Sequence, residues 1–183
     1  MKIRKEELQG TKVLIVEDIP QSTYPPSEGG YWKHMIPEEK IDSALILGVG
    51  AGTICRLLIA KNPDISITAV DNSKKVIDYA TKHFNLKEIK MKLFIRDAFE
   101  FIYRDAQRYD YIAVDIWNGY WFPFTVLMPP FIDRCKTLLK PGGTLYINTP
   151  NLDYFALENM KEGLRDDIGR NIIYRYKKID KSK

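Results

Sequence analysis

The chain has 183 residues, and 28 Lys and Arg against 24 Asp and Glu leave a net charge of +4. That length suits one domain with a small appendage, and 45% hydrophobic residues supply a real core, which excludes wholesale disorder. The charge excess is too mild and too dispersed to make a nucleic acid the expected partner, and no apolar run approaches the ~18 residues of a membrane span.

Residues 1–40 read differently from the rest. The start, Met1-Lys2-Ile3-Arg4-Lys5-Glu6-Glu7, is charged and lacks the apolar stretch of a secretory signal. Val13-Leu14-Ile15-Val16 is a β-branched run, followed by the breakers Pro20, Pro25, Pro26, Gly29 and Gly30. Tyr24, Tyr31 and Trp32 sit among those breakers, so a short strand or hairpin followed by an ordered aromatic loop is expected. From residue 41 to the end the pattern alternates. Ala44-Leu45-Ile46-Leu47 is continuously apolar, as a strand covered on both faces requires. Glycines follow, and then Ile54, Leu57 and Leu58 mark a helix face. Further strands are expected at 65–70, 91–95, 111–114 and 144–148, and helices around Val76 to Phe84, Phe99 to Ile102 and 131–139. Lys140-Pro141-Gly142-Gly143 reads as a turn. A last helix is expected at 154–161 and a closing strand at 171–176. This alternation predicts an α/β fold: a mostly parallel central sheet with helices on both faces, plus the short N-terminal segment.

In such sheets a ligand binds beyond the carboxyl ends of the strands. Gly48-Val49-Gly50-Ala51-Gly52-Thr53 follows the first apolar strand directly. Its G-x-G-x-G spacing differs from the dinucleotide fingerprint and favours a nucleoside without a pyrophosphate. Asp71 ends the next strand roughly 20 residues on, where an acid can accept from ribose hydroxyls; the alternative is a helix N-cap supplied by Asp71, Asn72 or Ser73. Asp97 follows the third strand, and a carboxylate there holds an adenine amine or caps a helix, the two readings being evenly balanced. Asp115 follows the fourth strand, in reach of an attacking amine whose proton it can take. Trp117, Tyr120, Trp121 and Phe122 come next and either shield a cation or pack on the N-terminal segment. Cys55 and Cys135 form no CxxC pair, and His34 and His83 fall in no finger-like spacing; a reduced, cytoplasmic protein without a metal site is the expectation. No nucleophile with a neighbouring histidine is evident, which argues against triad hydrolysis.

Together these residues resemble the Rossmann-like class I S-adenosylmethionine (SAM) methyltransferase fold and, more narrowly, the spermidine synthase family. Val13-Leu14-Ile15-Val16-Glu17-Asp18-Ile19-Pro20-Gln21-Ser22 is similar to that family's entry strand. Tyr31-Trp32-Lys33-His34-Met35 sits where the family has a Tyr-x-Glu-Met-like segment, and 109–115 and 139–143 resemble its fourth strand and the turn before its fifth. The resemblance implies that Gly48, Gly50 and Gly52 line the nucleoside, with Gln21 nearby, Asp71 on the ribose and Asp97 on the adenine. It makes Asp115 the catalytic aspartate and implies a homodimer; Tyr31, in the matching aromatic segment, and Trp117 and Tyr120, after Asp115, are the candidate acceptor contacts. Two positions depart from the family: Ala51 stands for an Asp that holds the donor's free amine, and Asn118 for a second Asp near the acceptor. Ala51 suits methyl transfer from SAM to a small acceptor, because a methyl donor carries a carboxylate where decarboxylated SAM has none. The entry strand suits aminopropyl transfer from decarboxylated SAM to a polyamine or other amine. A non-catalytic nucleoside- or polyamine-binding protein is the third reading. Asn148-Thr149-Pro150-Asn151 resembles an adenine-methyltransferase motif but follows the fifth strand, where that motif follows the fourth.

Overall fold

The computed structural model describes residues 1–27, 30–151, 164–168 and 170–179. Three antiparallel strands come first: β1 (Ile3–Leu8), β2 (Thr11–Val16) and β3 (Ile19–Tyr24), in the order β1-β2-β3. The sequence gives no cue to β1, whose Arg4, Lys5, Glu6 and Glu7 hide the strand period; the backbone ladder with β2 is what defines it. β3 accommodates Pro20 because it is an edge strand and because Pro20 faces Ile15, at a register shift in the ladder. Leu14 and Val16 of β2 are buried and share one apolar cluster with Ile46, Cys55 and Ile77, so the small sheet closes over the main core. The aromatic segment is a 3₁₀ turn, Tyr31–Met35, with Trp32 and Met35 buried.

The main sheet follows the chain as β4 (Ser43–Leu47), α1 (Thr53–Lys61), β5 (Ser66–Asp71), α2 (Lys74–His83), β6 (Lys92–Ile95), α3 (Ala98–Arg104), β7 (Tyr109–Val114), α4 (Pro129–Leu138), β8 (Leu139–Pro150), β9 (Leu164–Ile168) and β10 (Asn171–Lys177). The strand order is β6-β5-β4-β7-β8-β10-β9. The first five are parallel, and β10 runs antiparallel to both β8 and β9. β4 explains the two-layer packing. All five of its residues are buried, with Ala44 and Ile46 in one apolar cluster and Leu45 and Leu47 in the other. The strand order reverses at β4, whose neighbours are β5 and β7, and a ligand crevice is expected where their carboxyl ends diverge.

One expectation needs correction. Residues 140–143 do not end one element and start another. Tyr109 pairs with Leu139 and Tyr111 with Thr144, so 140–143 bulge from β8, with Gly142 at φ 75°. β9 was not anticipated, and the helix expected at 154–161 lies outside the described residues. Cys55 and Cys135 are both buried and free. No helix among the described residues is long and apolar enough to cross a membrane.

Candidate active site

A cleft of ≈ 320 Å³ opens where β4, β5 and β7 end, within the size range of small-molecule sites. One half is made by the glycine loop and two acids. Gly48 leaves β4 at φ 92°, and a Cβ there would meet the Asp115 carbonyl oxygen at 2.0 Å. A bare backbone is therefore what lets the loop pass the end of β7, where the Asp115 N–H donates to the Leu47 carbonyl at 2.8 Å. Gly50, at φ 54°, sits against Ser22 of β3. The Ala51 N–H donates to the buried Ser22 Oγ at 3.0 Å, and the Thr53 hydroxyl exchanges hydrogen bonds with the backbone of Thr23. The small sheet is thereby stitched to the loop, and Gln21 is carried into the cleft wall.

Asp71 lies half-buried at the end of β5. Its Oδ2 accepts from the N–H groups of Val49 and Gly50 at 3.0 and 3.2 Å, and its Oδ1 accepts from the Ser73 N–H at 2.9 Å. Burial raises its carboxyl above the usual range, and these three N–H groups oppose that rise. Asp71 is not the cap of α2. Ser73 holds that position, its Oγ accepting from the Val76 N–H. Asp97 does cap α3, accepting from the Glu100 N–H at 3.1 Å, and it also stands at the cleft rim beside Ala98 and Phe99.

The other half centres on Asp115. The Tyr31 hydroxyl donates to both of its carboxylate oxygens at 3.0 Å, and Asn148 Nδ2 donates to Oδ1 at 2.8 Å. Burial pushes the Asp115 carboxyl up to about 6, against the pull of these two donors. Burial of the Tyr31 phenol, and then the charge of Asp115, hold it well above the ordinary tyrosine value. After β7, Asn118 and Trp121 exchange backbone hydrogen bonds across a tight turn. Gly119 lies at its tip, at φ 59° and seated on Glu17 of the small sheet.

Of the residues singled out by sequence, Gly48, Gly50, Gln21, Asp71, Asp97, Asp115 and Trp117 line one cleft. Tyr31 joins them through Asp115. Gly52 and Tyr120 do not belong to the wall. Gly52 caps α1 and packs against Leu86 and Ile89, and Tyr120 is 72% exposed. Ala51 is fully buried in the core and absent from the lining. The aromatic residues after Asp115 pack mainly on one another, Trp117 against Phe122 and Phe122 against Phe124. Trp121, one of the aromatic residues singled out after Asp115, also stands in the cleft wall, whereas the sequence offers Asn148 only as part of an unrelated motif. The apolar character of β8 was visible, but Asn148 gains its meaning only from pairing beside β7.

Residues 39–178 match the family model described as a methyltransferase domain. The chain belongs to this methyltransferase-domain family. It is 29% identical over 130 residues to a probable polyamine aminopropyl transferase of Bifidobacterium longum, covering 71% of this chain and 29% of that protein. It is 34% identical over 121 residues to an N-terminal histidine N-methyltransferase of Emericella nidulans, covering 63% of this chain and 21% of that one. The chain thus spans less than a third of the length of these two relatives. A crystal structure of a probable spermidine synthase from Corynebacterium glutamicum superposes with a TM-score of 0.78 at 16% identity, covering 96% of this chain and 76% of that one. The methyltransferase-domain fold of this chain is therefore spermidine-synthase-like, as the resemblance of the entry strand implies.

Proposed function

We propose that this chain is a transferase using a SAM-type sulfonium donor, and that it moves a methyl group to a small amine acceptor bearing one positive charge or none. The donor half of the cleft fits a nucleoside. Val70, Ala98 and Phe99 supply apolar walls, Asp71 offers a carboxylate at the ribose position, and Asp97 offers one at the rim for an exocyclic amine. The donor supplies an electrophilic carbon on a sulfonium and leaves as a neutral thioether. What the chain must do is align the nucleophile, exclude water and take its proton. Asp115 suits the last task. With its carboxyl near 6 it is ionised at neutral pH yet basic enough to accept a proton from nitrogen as the new N–C bond forms.

One observation carries the choice of acceptor and group. Asp115 is the one carboxylate at the acceptor end of the cleft among the described residues, and Asn118 stands where the resemblance would put a second. A diamine would leave one cation unpartnered there, and the ammonium of an aminopropyl donor would lack an acid as well. Aminopropyl transfer is the second reading, supported by the Gln21-Ser22 strand on the glycine loop and by the Bifidobacterium relative.

Calorimetric titration with SAM, decarboxylated SAM and 5′-methylthioadenosine, followed by assays on mono- and diamines with the preferred donor, tests the reading. Preference for SAM and a methylated monoamine product is expected. Preference for decarboxylated SAM with aminopropylated product would replace it by the second reading, and binding of none would sink both.

A further inference from the structure

Asn148 is fully buried in the middle of the main sheet, where an amide needs a partner for each end. Its Nδ2 donates to Asp115 Oδ1 at 2.8 Å, and its Oδ1 accepts from Asn171 Nδ2, also at 2.8 Å. The strands dictate this contact. Val114 pairs with Ile147, which brings the next residues, Asp115 and Asn148, to the same level. In the antiparallel β8–β10 ladder Asn148 faces Ile173, so Asn171 is its diagonal neighbour on the same face. The direction of the chain of hydrogen bonds is fixed chemically. A carboxylate can only accept, so the Asn148 amide must turn its nitrogen to Asp115 and its oxygen to Asn171. Oδ1 of Asp115 therefore holds Asn148 and a share of the Tyr31 hydroxyl, while Oδ2 holds only the rest of that share.

We propose that Asn148 and Asn171 form a positioning relay that fixes the orientation of the Asp115 carboxylate and leaves Oδ2 as the atom that takes the acceptor's proton. The catalytic consequence rests on the transfer reading above; the relay itself does not. Among the described residues, the titratable and charged groups around Asp115 are Tyr31 from the 3₁₀ turn and Tyr111 from β7, with Asp71, Arg96, Asp97 and the Met1 ammonium, itself paired with Glu17, around the same cleft. Asn148 and Asn171 carry no charge, so they act on Asp115 through hydrogen bonding alone.

The test is a carbon-13 NMR titration of the Asp115 carboxyl, assigned by comparison with Asp115→Asn, in the intact chain, in Asn148→Leu and in Asn171→Ala. Losing a donor to the ionised form makes protonation easier. A rise in proton affinity of at least about threefold is expected in Asn148→Leu, with a smaller rise in Asn171→Ala and no change at Asp97. If Asn148→Leu does not fold, Asn171→Ala decides, because that residue is only half-buried at the start of β10. An unchanged Asp115 titration in the folded variants overturns the relay. The same variants are expected to move the acid limb of kcat/KM to higher pH. Shifted titration curves in a chain that turns over no sulfonium donor would keep the relay and sink the transfer reading.

Discussion

The donor half of the cleft is held by backbone N–H groups and by acids at successive strand ends, whereas the acceptor half is held by side chains of residues 31, 115, 148 and 171. Each donor-side feature is a local consequence of a strand giving way to a loop or helix. The acceptor side instead depends on distant parts of the chain meeting: strands β8 and β10 in register for Asn148 and Asn171, and the 3₁₀ turn for Tyr31. A nucleoside pocket of this kind follows from the fold, and the acceptor pocket is where individual sequences can diverge without disturbing it.

Substitutions that separate the two halves sharpen this contrast. Asp115→Asn is expected to lower turnover by about 10²–10⁴-fold, while donor affinity by calorimetry changes less than about twofold. The same change is expected to stabilise the fold by roughly 1–2 kcal/mol at pH 8. A carboxyl raised from the ordinary range to about 6 by folding costs stability fully above 6 and not at all below about 4. Urea unfolding of both forms should therefore converge as the pH falls through that window. Gly48→Ala strikes the seam, because the new methyl meets the Asp115 carbonyl and the positive φ is lost to it. A destabilisation of about 3 kcal/mol is expected, with donor and acceptor functions failing together. If only one half failed, the two would be less coupled than their shared backbone implies. Tyr31→Phe removes a hydroxyl bonded to a charge and is expected to reduce kcat about tenfold, with the acid limb displaced to higher pH and donor affinity unchanged. Asp97→Ala should do the reverse. It is expected to weaken donor binding several-fold and to loosen α3 by about 1 kcal/mol through its lost cap, leaving the pH profile alone.

The same contrast governs what was legible in the sequence. Strands β4, β5 and β7 show as apolar runs; the glycines after β4 and the acid ending β5 announce the donor half, and Asp115 after β7 marks the acceptor half. β1 was missed because charged side chains obscure an edge strand, and the bulge at 140–143 because a Lys-Pro-Gly-Gly run looks the same whether it ends a strand or swells one. Gly52 was misplaced because a glycine needed for packing against Leu86 and Ile89 carries the same letter as one facing the cleft. The sequence gives no sign that Asn148 and Asn171 meet, since their meeting depends on the pairing register of β8 with β10.

The matched methyltransferase segment starts at residue 39, yet β3 is laced to the glycine loop through Ser22 and Thr23, and Tyr31 reaches Asp115. The family boundary is therefore not a seam along which the molecule can be cut. A fragment trimmed there would expose Ala51 and lose the phenol beside its proposed base. A hybrid borrowing residues 1–38 from a relative would have to borrow the surroundings of Gly50 with them, so these two stretches are expected to be inherited as a set.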